Sequence, residues 1–146
     1  MIVKKILDTI DLNFSRADEY VEQISVMDLS KDPFEDIENI KTIDSFIYRF
    51  SKIQDMMGEK LFPAYLTALE EYSPSMPLID ILNKLEKFKI IDSENDWKYF
   101  RKLRNILTHE YPDNEDDLIQ GIQEALIVYP KVKAIYQAIR NYLSKS

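Results

Sequence analysis

The sequence predicts an all-α fold: an antiparallel bundle of four or five helices forming a single domain over residues 1–146. Three observations carry this. Apolar residues recur at helical spacing along nearly the whole chain. Only 2 of the 146 residues are glycine, too few for a turn-rich β fold or a glycine-rich phosphate loop. The composition, 45% hydrophobic and 31% charged, is that of a globular chain long enough to bury a real core. No internal repeat or low-complexity tract appears.

The first helix is predicted from about Val3 to Met27, with Ile6, Ile10, Leu12, Phe14, Ala17, Val21 and Ile24 inward. Its other face, Asp8, Asp11, Arg16, Asp18, Glu19 and Glu22, reads as solvent-exposed. Asp32-Pro-Phe-Glu35 predicts the next start, with Asp32 as cap, Pro33 in the first turn and Glu35 closing a capping box. That helix runs on through Ile37, Ile40, Ile43, Ile47, Phe50 and Ile53, with Arg49 exposed. It should kink, or break and restart, around Gly58 and Pro63, then continue to Tyr72. Ser73-Pro-Ser-Met-Pro77 is the clearest loop, too short to link two domains. Pro77 starts a short helix with Leu78, Ile81, Leu82, Leu85 and Phe88 inward. A further helix starts at Ser93 and stops before Pro112. The last runs from the Asn114–Asp117 cap to about Leu143, bent near Pro130.

Composition also bounds function. There are no cysteines, hence no disulfide, no thiolate nucleophile and no cysteine zinc site. No cofactor motif is present, neither a P-loop nor G-x-G-x-x-G. The acidic run Asp113–Asp117 serves better as helix first-turn charge than as a metal site. A net charge of −7 argues against strong non-specific nucleic-acid binding, though not against an RNA cleft with a local basic face. Asp8 and Asp11 break any signal-peptide pattern behind Met1, and no apolar run approaches membrane-spanning length, so the expected location is the cytoplasm.

The informative stretch is Arg101-Lys-Leu-Arg-Asn-Ile-Leu-Thr-His-Glu-Tyr-Pro112, which holds the only histidine, His109. Ser93 and Asp96 have capping-box spacing. Stepping about 100° per residue from there places Trp97, Tyr99, Phe100, Leu103, Ile106 and Leu107 on one apolar arc. Lys98, Arg101, Lys102, Asn105, Thr108 and His109 fall opposite, with Arg104 at the edge. Four cations, an asparagine and a histidine on one face of an acidic protein invert the local sign of charge.

Those residue types suit RNA cleavage by attack of the ribose hydroxyl. The reaction needs a group that moves protons near neutral pH, which histidine supplies. It also needs a permanent cation for the phosphorane, which arginine supplies with a fork that fits phosphate oxygens. Neither role needs a metal. Residues five apart on a helix lie about 140° apart around its axis. Arg104 and His109 of one chain therefore do not face each other squarely, and two copies across a twofold axis would combine them better.

The pattern Arg104-Asn105, then His109-x-Tyr111 at a helix end, resembles the R-x-x-x-x-H-x-Y signature of HEPN domains. The likeness is to the HepT-like toxins paired with minimal nucleotidyltransferases. The lead-in Lys87-Phe-Lys-Ile-Ile-Asp92, Trp97 and the helix order resemble that group too. The resemblance implies a metal-independent endoribonuclease active as a homodimer, with Arg104 and His109 catalytic. Arg101, Asn105 and Thr108 would support RNA binding. Tyr111 would be the residue a cognate nucleotidyltransferase antitoxin adenylylates; it also has the simpler reading of packing over the helix end.

Two function classes follow. One is this RNase toxin. The other is a non-catalytic partner subunit that presents nucleotide or substrate to a nucleotidyltransferase, which the acidic surface favours. Lys131, Lys133, Arg140 and Lys145, with no acid among them after residue 130, read as complements of the helix dipole or as a basic end for RNA or an acidic partner.

Overall fold

The computed structural model describes residues 2–31, 33–108 and 114–145. Six helices account for most of them: α1 (Ile2–Ser25), α2 (Ile37–Met56), α3 (Phe62–Ala68), α4 (Leu78–Lys87), α5 (Glu94–Thr108) and α6 (Glu115–Lys145). No strand occurs among the described residues. A π-helical turn, Met57–Leu61, joins α2 to α3 without a break, so the six helices make five rods. The all-α bundle expected from the sequence is the fold observed.

The junction expected around Gly58 and Pro63 resolves as that π turn. Pro63 has no N–H to return to the preceding turn, so a regular α-helix would lose a bond there. The Phe62 N–H instead reaches back five residues to the Met57 carbonyl, which re-registers the helix just ahead of the proline. The start of α2 differs from expectation. Pro33–Glu35 is only a 3₁₀ turn, and the helix begins at Ile37. Asp36, in extended backbone, is its cap and accepts the Glu38 N–H at 2.9 Å. The proposed cap Asp32 lies outside the described residues.

With so few glycines, two helices end on left-handed residues of other types. Glu70 (φ 61°) closes α3 and Lys89 (φ 63°) closes α4. Each end carries the same bond pair: Glu71 N–H to Leu66 O and Glu70 N–H to Thr67 O, then Ile90 N–H to Leu85 O and Lys89 N–H to Glu86 O. This is the Schellman pattern, and it stops α3 at Ala68 rather than Tyr72.

The core is one apolar cluster shared by all the rods, with Ile10, Phe46, Phe50, Phe62, Leu82, Trp97 and Ile139 essentially inaccessible. Four residues expected inward are not: Leu12, Ile37, Leu78 and Tyr99 are exposed. Leu78 and Ile37 sit in the first turns of their helices.

α1 and α6 run antiparallel and are pinned twice. The Tyr136 hydroxyl meets Asp11 and the Leu7 carbonyl, and the Arg140 guanidinium holds the same Asp11 at 2.8 Å. Seven residues along, the Tyr129 hydroxyl meets Asp18 at 2.6 Å and Lys133 holds Asp18 at 2.7 Å. Phe14 lies between the tyrosines, 5.1 Å from the Tyr136 ring and 5.8 Å from Tyr129. Of that face Asp11 and Asp18 are thus bonded to α6, while Asp8, Arg16, Glu19 and Glu22 are exposed as expected; Lys133 and Arg140 are partnered within the bundle. Arg49 is likewise half-buried, donating at 3.0 Å to the buried Asn13. No helix among the described residues is long and apolar enough to cross a membrane.

Candidate functional site: the outer face of α5

α5 begins at the predicted Ser93 cap, but without the capping box: the Ser93 hydroxyl accepts the Asn95 N–H at 3.1 Å, while the Asp96 N–H goes to the Ser93 carbonyl at 3.1 Å. Glu86 of α4 accepts the Glu94 N–H at 2.9 Å, fixing the entry of the helix. Trp97, Phe100, Leu103 and Leu107 are buried. Trp97 packs edge-on against Phe62, with centroids 4.7 Å apart, just beyond the π turn. That contact orients α5 against the α2–α3 rod.

Asp55, in the last turn of α2, organises the cations. Its Oδ1 accepts from Arg101 Nη1 at 2.8 Å and its Oδ2 from Arg104 Nη2 at 2.7 Å. One carboxylate bridges two guanidiniums one helical turn apart. Burial alone would raise the Asp55 pKa, but the two arginine hydrogen bonds and their charges outweigh it and hold the carboxyl below its ordinary 3.8. The adjacent Gln54 is inaccessible and donates at 3.2 Å to the Phe100 carbonyl, so α2 grips α5 through backbone and side chain together.

The two arginines are not equivalent. The Arg104 side chain is 12% exposed and faces inward. Its Nη1 also donates to the Thr108 hydroxyl at 3.1 Å and the Asn105 side-chain Oδ1 at 3.3 Å. Thr108 in turn donates to the Arg104 carbonyl at 2.9 Å. The Arg101 side chain is 33% exposed, and among the described residues its one hydrogen-bond partner is Asp55. With five N–H donors on a guanidinium, Arg101 keeps capacity to bind an anion.

Lys98, Arg101, Lys102 and Asn105, at i, i+3, i+4 and i+7, form one outward stripe. With Leu78, Trp97 and Ile106 they line a shallow depression of about 420 Å³. Lys98 also makes a loose, exposed pair with Glu94 at 3.8 Å. The structure thus joins Arg101, Arg104, Asn105 and Thr108 in one constellation. His109 and Tyr111 lie outside the described residues.

Asp55 is the site residue that local spacing does not reveal, since its partners are 46 and 49 positions away. Gln54 carries the available signal. It falls seven residues after Ile47 and four after Phe50, on the inward arc, where a polar side chain needs a partner. Among the described residues, no group of three or more His, Cys, Asp or Glu side chains is placed to hold a metal ion. Comparison with family models, curated proteins and solved structures returns no match to this chain.

Proposed function

We propose that the chain is a metal-independent endoribonuclease, the toxin of a toxin–antitoxin pair, working in the cytoplasm as a homodimer with Arg104 and His109 at the cleft between two copies. The observation that carries this reading is the cationic stripe on the outer face of α5, which in an acidic protein leads along the helix toward the only histidine. In the proposed reaction the ribose 2′ hydroxyl loses its proton to one imidazole and attacks the neighbouring phosphorus. The 5′ oxygen leaves with a proton from the second copy's imidazolium, giving a 2′,3′-cyclic phosphate and a 5′ hydroxyl. Arginine charge stabilises the phosphorane. A minimal nucleotidyltransferase antitoxin would silence the protein by adenylylating Tyr111. The added phosphate would compete with RNA for the same cations.

A second reading has its own support. The Arg104 guanidinium is already neutralised by Asp55 and occupied by Thr108 and Asn105, which is how a structural arginine is held. This favours a non-catalytic partner subunit that presents nucleotide or RNA to a nucleotidyltransferase.

Incubating the purified chain with RNA in chelator separates the two. The nuclease reading expects cleavage to persist in chelator and to fall a hundredfold or more in His109→Ala. It expects Arg104→Ala to lose cleavage as well. Absence of cleavage by the chain alone, or cleavage untouched by both substitutions, refutes it and leaves the partner-subunit reading.

A further inference from the structure

The depression on α5 has two chemically distinct sides. One is apolar: Leu78, exposed at 49% in the first turn of α4, and Ile106, with the buried Trp97 as part of the lining. The other is the stripe of Lys98, Arg101, Lys102 and Asn105. Among the described residues, no carboxylate lines it. Two acids touch the stripe from outside the depression: Asp55 accepts from Arg101 on the inner side, and Glu94 makes its loose contact with Lys98. An exposed apolar side chain beside three cations suits a ligand that is flat and apolar at one end and anionic at the other. Its volume is within the range of small-ligand pockets.

A nucleotide has that division: a base with a π-face, a ribose with hydrogen-bonding hydroxyls, and a phosphate. Base contact with apolar and aromatic surface combined with backbone contact to cations is the general mode of single-strand recognition. A double helix presents phosphates without free base faces, and leaves Leu78 and Ile106 nothing to cover. An acidic peptide would match the cations but not the apolar wall.

We infer that this depression is a binding subsite for one nucleoside monophosphate unit, its base against Leu78 and Ile106 and its phosphate held by Arg101 and Lys102. Lys98 adds charge at the rim, and Asn105 is placed to hydrogen-bond the ribose or base edge. The inference rests on the RNA-directed reading of α5, and it moves the contact with RNA from the inward Arg104 to the outward Arg101.

Trp97 is the only tryptophan in the chain and part of the lining, so intrinsic fluorescence reports occupancy without any reaction. The full-length chain and its His109→Ala variant are titrated with hexa-adenylate RNA, adenosine monophosphate and inorganic phosphate. Saturable quenching by the hexamer is expected, weakened tenfold or more by Leu78→Glu and by Lys102→Glu. Both positions are exposed, so circular dichroism and melting temperature should not change. Lys102→Gln should also flatten the log–log salt dependence of binding by about 0.7, the share of one phosphate contact. A hexamer at least tenfold tighter than the mononucleotide identifies an RNA strand as the source, and equal affinity identifies free nucleotide. No saturable quenching by either nucleotide, quenching matched by inorganic phosphate, or unchanged affinity in both Leu78→Glu and Lys102→Glu overturns the subsite. Binding needs no scission: saturable quenching by the unsubstituted chain with the RNA left intact removes the nuclease reading and leaves the subsite. Cleavage with unchanged affinity in those two variants does the reverse.

Discussion

Replacing Asp55 with alanine removes the one carboxylate that holds both arginines of α5. Two charge-assisted hydrogen bonds are lost, at 2.7 and 2.8 Å, and the largely buried Arg104 guanidinium loses its counter-ion. Hydrogen bonds to charged groups contribute about 1.5–3 kcal/mol each. The Arg101 half is a third exposed at both partners, which brings it toward the ~0–1 kcal/mol of surface pairs. The expected loss is therefore about 2–3 kcal/mol, most of it from Arg104. For a domain of this size that lowers Tm by about 5–10 °C. Urea and thermal unfolding of Asp55→Ala, Arg101→Gln, Arg104→Gln and the two doubles give the coupling energies directly. Coupling to Arg104 should reach about 1.5–2 kcal/mol and coupling to Arg101 stay below about 1 kcal/mol. A loss under ~0.5 kcal/mol for Asp55→Ala, or the reverse order of couplings, would refute the clamp.

The same carboxylate gives a pH dependence, shared with Asp11, whose pKa the Arg140 hydrogen bond lowers against the opposing effect of burial. Both folded values lie below the ordinary 3.8, so the unfolded chain binds more protons and stability rises with pH through that region. Denaturant midpoints should hold constant above the carboxylate range and fall on acidification below about pH 4, less steeply in Asp55→Asn; a flat profile there contradicts the pairing. Lys89→Gly should stabilise by about 1 kcal/mol because glycine adopts φ 63° without strain, while Lys89→Ala should leave stability unchanged. An equal effect of both would place the gain elsewhere. Tyr136→Phe and Tyr129→Phe should each cost about 1–2 kcal/mol by removing a hydroxyl bonded to a carboxylate and a carbonyl. The two pins are seven residues apart, about 10 Å along a helix, so the double variant should be additive within ~0.5 kcal/mol.

The rods themselves were legible because each buries one apolar arc, and that arc sets the period in sequence. Where expectation and structure part, the cause is local at one helix start and non-local elsewhere. Asp36 caps α2 because the first turn after Pro33 closes as 3₁₀ and not α. Asp11 and Asp18 read as solvent face because nothing near them in sequence announces Tyr136, Arg140, Tyr129 and Lys133, more than a hundred positions away. The repeat of seven in all three partner sets was visible, but only pairing α1 with α6 gives it meaning. At the site, the outward cationic stripe was readable from helical phase alone. The division between Arg101 and Arg104 was not, because it is Asp55 of a different rod that draws one arginine in and leaves the other at the surface.

That division changes what a substitution at Arg104 can establish. Arg104→Ala removes a cation near His109 in sequence, but it also removes the more buried of the two bonds by which Asp55 holds α5, leaving Asp55 with Arg101 alone. Loss of RNA cleavage in that variant therefore has two sufficient causes, missing charge at the phosphate and a displaced helix. Arg101 separates them. It shares the same carboxylate through a more exposed bond and lines the outward depression, so Arg101→Gln removes anion-binding capacity at little structural cost. If phosphate recognition resides on the outer face, Arg101→Gln should raise KM for RNA with kcat and Tm nearly unchanged. Arg104→Lys, which keeps the charge but not the planar fork, should lower Tm and kcat together. The opposite pattern, with KM tracking Arg104 and indifferent to Arg101, would mean that Asp55 releases Arg104 to the substrate during the reaction. The bridging carboxylate would then be a stand-in for the phosphate, not a fixed support.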